Sequence, residues 1–161
     1  MLIISQLAQV SPLADIEESV RGTNITIADH VMIDAFVKIK PAGGSGDVVV
    51  GRGTAINSGT VIYTGNGVTI GEDVAIAANC TFAPTNHALA RDQRIVDQGF
   101  LPSRGGILVE DDVWIGANVV LLDGAILRQG CVIGAGAVVR GEMPPYSINY
   151  GVPATTQGYR Q

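Results

Sequence analysis

The sequence predicts an all-β solenoid of very short parallel strands, on three observations: a six-residue repeat, a shortage of rings, and the near absence of helical spacing. Hexads starting at Val10, Ile16, Ile27, Ile33, Val50, Ile56, Ile70, Ile76, Val109, Ile115, Leu121, Leu127 and Ile133 all open on an aliphatic residue. Their fifth positions are Ala14, Val20, Val31, Val37, Thr54, Thr60, Val74, Cys80, Val113, Val119, Ala125, Cys131 and Ala137, each of them Ala, Val, Thr or Cys. Apolar residues make up 47% of the chain, but aromatics only 5%. An interior lined by one aliphatic and one small side chain per rung has little room for rings. Each rung is also too small to bury its face alone, so stacking must supply the core.

The elements follow in order along one solenoid domain of 161 residues. Residues 1–9 read as an N-terminal segment, and coils run over 10–139. Leu13 to Val20 is the one stretch that passes for a short helix. The step from Ile16 to Ile27 is 11, as is that from Ile39 to Val50, which spans Pro41-Ala-Gly-Gly-Ser-Gly-Asp47, a loop by composition. Ile62 to Ile70 is 8, with the insert at Thr64-Gly-Asn-Gly67. Phe82 to Val109 is 27, and this excursion loop, 83–108, is the largest break. An excursion of that size from an economical solenoid is functional or disordered. Glycines recur at the second hexad position (Gly51, Gly71, Gly116, Gly134), where a tight corner favours them. Cys80 and Cys131 occupy small-residue positions and read as filler. After Val139 the hexads cease, and Pro144, Pro145 and Pro153 mark a tail over 140–161.

Composition excludes several functions. The formal charge is −5, and the 10 Lys and Arg are scattered singly, so no basic stripe serves nucleic acid. Two Cys 51 positions apart make neither a disulfide framework nor a CxxC site. No apolar run approaches the roughly 18 residues of a membrane helix, and the first residues lack a basic n-region. A cytoplasmic protein without membrane insertion is expected.

His87 is one of only 2 His and stands where the longest break leaves the coil. An imidazole ordinarily titrates near pH ~6.5, so it can take a hydroxyl proton near neutral pH and pass it on. The competing reading is an exposed loop His; His30, at an outward hexad position, fits that reading.

The hexads, the excursion with its His, Asp112-Val-Trp-Ile-Gly116, and Met143-Pro-Pro145 followed by Gly151-Val-Pro-Ala154 together resemble one family. This is the hexapeptide-repeat acyltransferase family of the galactoside, maltose and polysaccharide O-acetyltransferase type, and the resemblance runs from about Ile25 to Ala154. It implies a left-handed parallel β-helix of triangular section, assembled as a homotrimer. Acetyl-coenzyme A would be the acyl donor, lying in a groove between coils, and a sugar or cell-surface polysaccharide precursor the acceptor, with no metal. It further implies His87 as general base, and Asn57 and Asn79 as acceptor ligands. A corner cap explains Asn57 equally well. For the donor, the resemblance points to Trp114, to the backbone at Ala117 and Ala135, and to Arg140 and Gly141. Many members carry Thr-Lys where Arg140-Gly141 stands. Thr155 and Gly158 occupy positions of Arg in the galactoside-type enzymes, leaving Arg160 as the tail cation for coenzyme A. The start lacks the helical segment of the longer members and looks more like the polysaccharide enzymes. On the same fold, an amino-sugar N-acetyltransferase or a drug acetyltransferase stays open, as does a non-catalytic solenoid. A γ-class carbonic anhydrase needs three His at each metal, and this chain has 2 in total.

Overall fold

The computed structural model describes residues Met1–Gln161 and is a left-handed parallel β-helix. Each coil gives one strand to each of three faces, so every third strand in sequence is a hydrogen-bonded neighbour. The first face stacks Leu2–Ile4, Ile25–Ile27, Val48–Val50, Val68–Ile70, Ile107–Val109, Ile126–Leu127 and Glu142–Met143. Gln9–Val10, Met32–Ile33, Ala55–Ile56, Ala75–Ile76, Trp114–Ile115, Val132–Ile133 and Ser147–Gly151 form the second. The third holds Asp15–Ile16, Lys38–Lys40, Val61–Tyr63, Thr81–Ala83, Val120–Leu122 and Val138–Val139. The Leu13 to Val20 stretch is therefore a strand and a corner, not a helix. No helix of the chain is long and apolar enough to cross a membrane.

Hexad chemistry accounts for the interior. Along the second face Ile33, Ile56, Ile76, Ile115 and Ile133 stack in register, each at most 2% exposed. Full burial of such a side chain stabilises by about 1.5–3 kcal/mol. The small fifth residues fill the corners, among them Val74, Cys80, Ala125, Cys131 and Ala137, all buried. Thr54 serves at that position because its hydroxyl is satisfied: it donates to Gly71 O at 2.8 Å and accepts from Val74 N at 3.1 Å. Phe82 is the one ring inside; the Trp, all four Tyr and the other two Phe lie on the outside.

The departures from six share one location. Between first, second and third faces the spacing never changes, as in Ile27, Ile33 and Ile39 or Leu127, Ile133 and Val139. All extra residues fall at the corner where the third face returns to the first: 17–24, 41–47, 64–67 and 84–106. Coil steps are accordingly 23 for Ile25 to Val48, 20 for Val48 to Val68, and 39 for Val68 to Ile107. Only beyond Ile107 does the step settle at 18, as in Trp114 to Val132. The stacked insertions make a ridge along one edge of the prism. Gly65 (φ +41°) belongs to it because a Cβ there would meet Thr85 Oγ1 and Pro84, where the excursion departs. Thr85 Oγ1 donates to Gly43 O at 3.1 Å, and with Gly65 N to Ala42 O at 2.9 Å and Asn66 N to Pro84 O at 3.2 Å it ties three successive insertions together.

Both ends differ from the boundaries expected above. Coils begin at Leu2 rather than Val10, because Leu2–Ile4 pairs in parallel with Ile25–Ile27. Ile4 and Ala8 in fact complete a hexad, and Ala8 packs on the core. Coils also continue past Val139. The corner at Arg140-Gly141 is two residues shorter than the usual step, so Glu142 aligns with Ile126 after 16 residues and the six-residue phase is lost. Met143 and Ser147 then take the aliphatic and small positions, both buried. Asn149, also buried, stands where the pattern wants an aliphatic residue; it donates to Val132 O and Ser147 Oγ and accepts from Thr156 Oγ1. Only Ala154–Tyr159 leaves the coil, turning back antiparallel on Ser147–Gly151 to cap the end. The excursion itself is 84–106, since Ala83 and Ile107 are strand residues.

Phe82→Ala should destabilise the fold by about 3–5 kcal/mol in denaturant titrations, whereas Phe36→Ala at an exposed corner should stay within about 0.5 kcal/mol. Burial pushes the Cys131 thiol up to about 12 and raises Cys80 as well. A thiol reagent at pH 8 should therefore label neither in the native protein and both after unfolding.

Candidate active site

The excursion is folded back on itself. His87 and Phe100 form an antiparallel bridge, flanked by Ala88 N to Gly99 O at 3.0 Å and Leu101 N to Asn86 O at 2.8 Å. One turn of 3-10 helix, Ile95–Asp97, makes the tip, braced by an Arg94–Asp97 ion pair. The Gln98 side chain spans the hairpin, accepting from Ala90 N at 2.8 Å and donating to Ala90 O and Gln93 O. At the foot, the buried Asp123 carboxylate accepts from Arg104 N (2.9 Å) and Gly106 N (3.0 Å). These two N–H groups satisfy a charge that burial would otherwise penalise. Sequence reasoning missed Asp123; its signal was an acid in Leu-Leu-Asp-Gly, at the corner one coil beyond the excursion.

His87 lies between two cavities and is the one residue common to both. Its ring packs on Phe100 with centroids 4.8 Å apart, tilted by 54°. One cavity, of about 240 Å³, is lined by Ala42, Gly43, Tyr63, Ala83, Pro84, Thr85 and Phe100, with no Asp, Glu, Lys or Arg. The other, of about 310 Å³, is lined by Asn86, Leu89, Leu101, Arg104, Leu122, Asp123 and Arg140. A base that lines both cavities can serve a group held in each.

The other residues singled out in the sequence lie elsewhere on the prism. Trp114 is 56% exposed on the second face, between Ala75 and Val132 in the ladder. Ala117 and Ala135 follow at the next corner, one coil apart. Their backbone N–H groups donate to nothing in the chain, whereas Gly116 and Gly136 donate to Ile133 O and Ala117 O, each at 2.8 Å. Two free donors beside an exposed indole are what an extended amide-bearing ligand would need. Asn57 caps its own corner, Nδ2 donating to Ile76 O at 2.7 Å, and lines a separate open cavity with Met32 and Asp34. Asn79 (φ +60°) and His30 (φ +59°) occupy left-handed corner positions, a conformation that Asn and His tolerate better than most residues. Gly141 O accepts from Ile126 N at 3.2 Å. Arg160 is engaged in the fold: Nη1 reaches Asp112 Oδ2 and Gly130 O, each at 2.9 Å, with the guanidinium over Tyr146. Of all these residues only Arg140 shares a cavity with His87; Trp114, Ala117, Ala135, Asn57 and Asn79 line neither.

Known proteins resemble the chain in both sequence and fold. The family description "Bacterial transferase hexapeptide (six repeats)" matches residues 106–141, the stretch over which the coil keeps its 18-residue step. WbbJ of Escherichia coli K12, named for lipopolysaccharide-biosynthesis O-acetyl transfer, is 30% identical over 139 residues, covering 83% of this chain and 67% of its own length. A Mycobacterium tuberculosis chain named as an acetyltransferase is 45% identical over 67 residues, which span 42% of this chain and only 22% of the relative. A hexapeptide-repeat acetyltransferase from Vibrio cholerae, solved with acetyl-coenzyme A, superposes with a TM-score of 0.68 at 25% identity, over 99% of this chain and 72% of that one. The shared coil and the extent of the match to WbbJ lead to one assignment: the chain belongs to the hexapeptide-repeat acetyltransferase family.

Proposed function

We propose that the protein is an acetyl-coenzyme A-dependent O-acetyltransferase acting on a sugar or cell-surface polysaccharide precursor, with His87 as general base. The observation that carries this reading is the place of His87 between two cavities on the ridge. In the reaction, the imidazole takes the proton of an acceptor hydroxyl as that oxygen bonds to the thioester carbon. The carbon–sulfur bond then breaks, and the same proton passes to the leaving thiolate. A hydroxyl needs such a base because it is a poor nucleophile while protonated. The apolar cavity with Tyr63, Pro84 and Phe100 suits the face of a sugar ring. Trp114 and the free N–H groups of Ala117 and Ala135 suit the amide-bearing pantetheine arm. Because those groups and His87 line no common cavity of one chain, the working site is completed between copies of a homotrimer, each lending its ridge to a neighbour's second face. A donor drawn from the acetyl-coenzyme A pool and two unpaired Cys suit the cytoplasm.

His87→Ala and His87→Asn should each lower turnover by about 10² to 10⁴, with the thermal midpoint unchanged, since the exposed ring supports no coil. His30→Ala should behave as wild type in the same thiol-release assay. Undiminished turnover in His87→Ala would remove the mechanism from this site. Trp114 is the only Trp, so acetyl-coenzyme A should perturb the intrinsic emission in a saturable titration. Light scattering should give about three times 16.7 kDa.

A further inference from the structure

Arg104 takes no part in the proposed reaction, yet its backbone is held in place. Its N–H donates to the buried Asp123 carboxylate at 2.9 Å. Gly124 (φ +87°) faces it, and a Cβ at that glycine would stand 2.9 Å from Arg104 Cβ. The guanidinium is uncommitted. Lys38, Lys40, Arg52, Arg94, Arg128 and Arg160 each hold a carboxylate; Arg21, Arg91, Arg104 and Arg140 make neither an ion pair nor a side-chain hydrogen bond, and of these four Arg104 and Arg140 alone line a cavity. Both line the same cavity of about 310 Å³ beside His87. Its only acid, Asp123, already has one backbone N–H on each oxygen. In a chain of net charge −5, two free guanidiniums in one cavity form a local concentration of positive charge with no internal partner.

We infer that Arg104 and Arg140 bind an anionic substituent of the acceptor, a carboxylate or phosphate carried near the hydroxyl that His87 deprotonates. The inference rests on His87 being the base. The resemblance gives Arg140 to the donor instead, and a donor titration of Arg104→Gln separates the two anions. The acceptor ring sits against Tyr63 and Phe100, its reacting hydroxyl at His87, and its anion reaches across to the two guanidiniums. Arg suits the task because its planar fork pairs with carboxylate or phosphate through two hydrogen bonds. The acceptor is thus an acidic sugar or a sugar phosphate rather than a neutral hexose.

Binding tests the inference without requiring turnover. Methyl β-glucuronide, α-glucose 1-phosphate and methyl β-glucoside would be titrated by calorimetry into the wild type and into Arg104→Gln and Arg104→Lys. At least one charged probe should bind about tenfold more tightly than the glucoside, and which one does so identifies carboxylate or phosphate as the natural group. Arg104→Gln should weaken that probe about tenfold, Arg104→Lys should restore part of the loss, and added salt should weaken the wild type. Arg104→Gln should leave the Trp114 titration with acetyl-coenzyme A within about twofold, which also verifies the fold. The inference is overturned if neither charged probe binds, if the glucoside binds as tightly as both, or if Arg104→Gln leaves the charged probe unaffected. Loss of charge discrimination while His87 is still required for turnover would remove the anion pair and leave the base in place. A dispensable His87 would remove the base and leave the measured binding as an anion site.

Discussion

The narrowness of the coil interior governs the rest of this molecule. The second and third faces admit one aliphatic side chain per rung, and the first face at most two, as at Ile25 and Ile27 or Ile107 and Val109, so chemistry that needs rings, charges or an imidazole must sit outside. Phe82 is the single ring the interior accepts. Insertions leave the stacked rows of Ile and Val in register because they loop outward at a corner. The third-to-first corner alone absorbs extra residues, four times in succession. The ridge so formed carries the two cavities that His87 lines.

The interior could be read in the sequence because packing there depends on residues six apart. Hexads from Val10 to Ala137 locate nearly every coil, and the four oversized steps locate every insertion. What escaped was the ends, where the signal is brief or its phase changes. Ile4 and Ala8 offer a single hexad, and beyond Val139 a two-residue shortening displaces Met143 and Ser147 from the expected register. Asn149 breaks the pattern outright and is admitted because its amide bonds are met by Val132, Ser147 and Thr156.

On the ridge, legibility fell with the range of the interactions involved. His87 was singled out by its rarity, its place at the longest break and the family resemblance, and its role is a proposal. Asp123 and Arg104 were not, since their significance lies in a carboxylate meeting two N–H groups from the far end of the excursion. No periodic pattern records such a pairing. Arg160 shows the converse: a tail cation that resemblance assigns to coenzyme A is engaged by Asp112 and Gly130.

The central claim is that this chain holds two half-sites, a ridge carrying His87 and a second face carrying Trp114, and that activity arises where copies meet. Subunit mixing addresses it directly. His87→Ala and Trp114→Ala chains, each inactive as homotrimers, would be unfolded together at equal concentration, refolded, and assayed for thiol release. If each site takes His87 from one copy and Trp114 from the next, random assembly restores about a quarter of wild-type activity. A mixture as inactive as its two parents would show that both residues must come from one chain and would contradict the account.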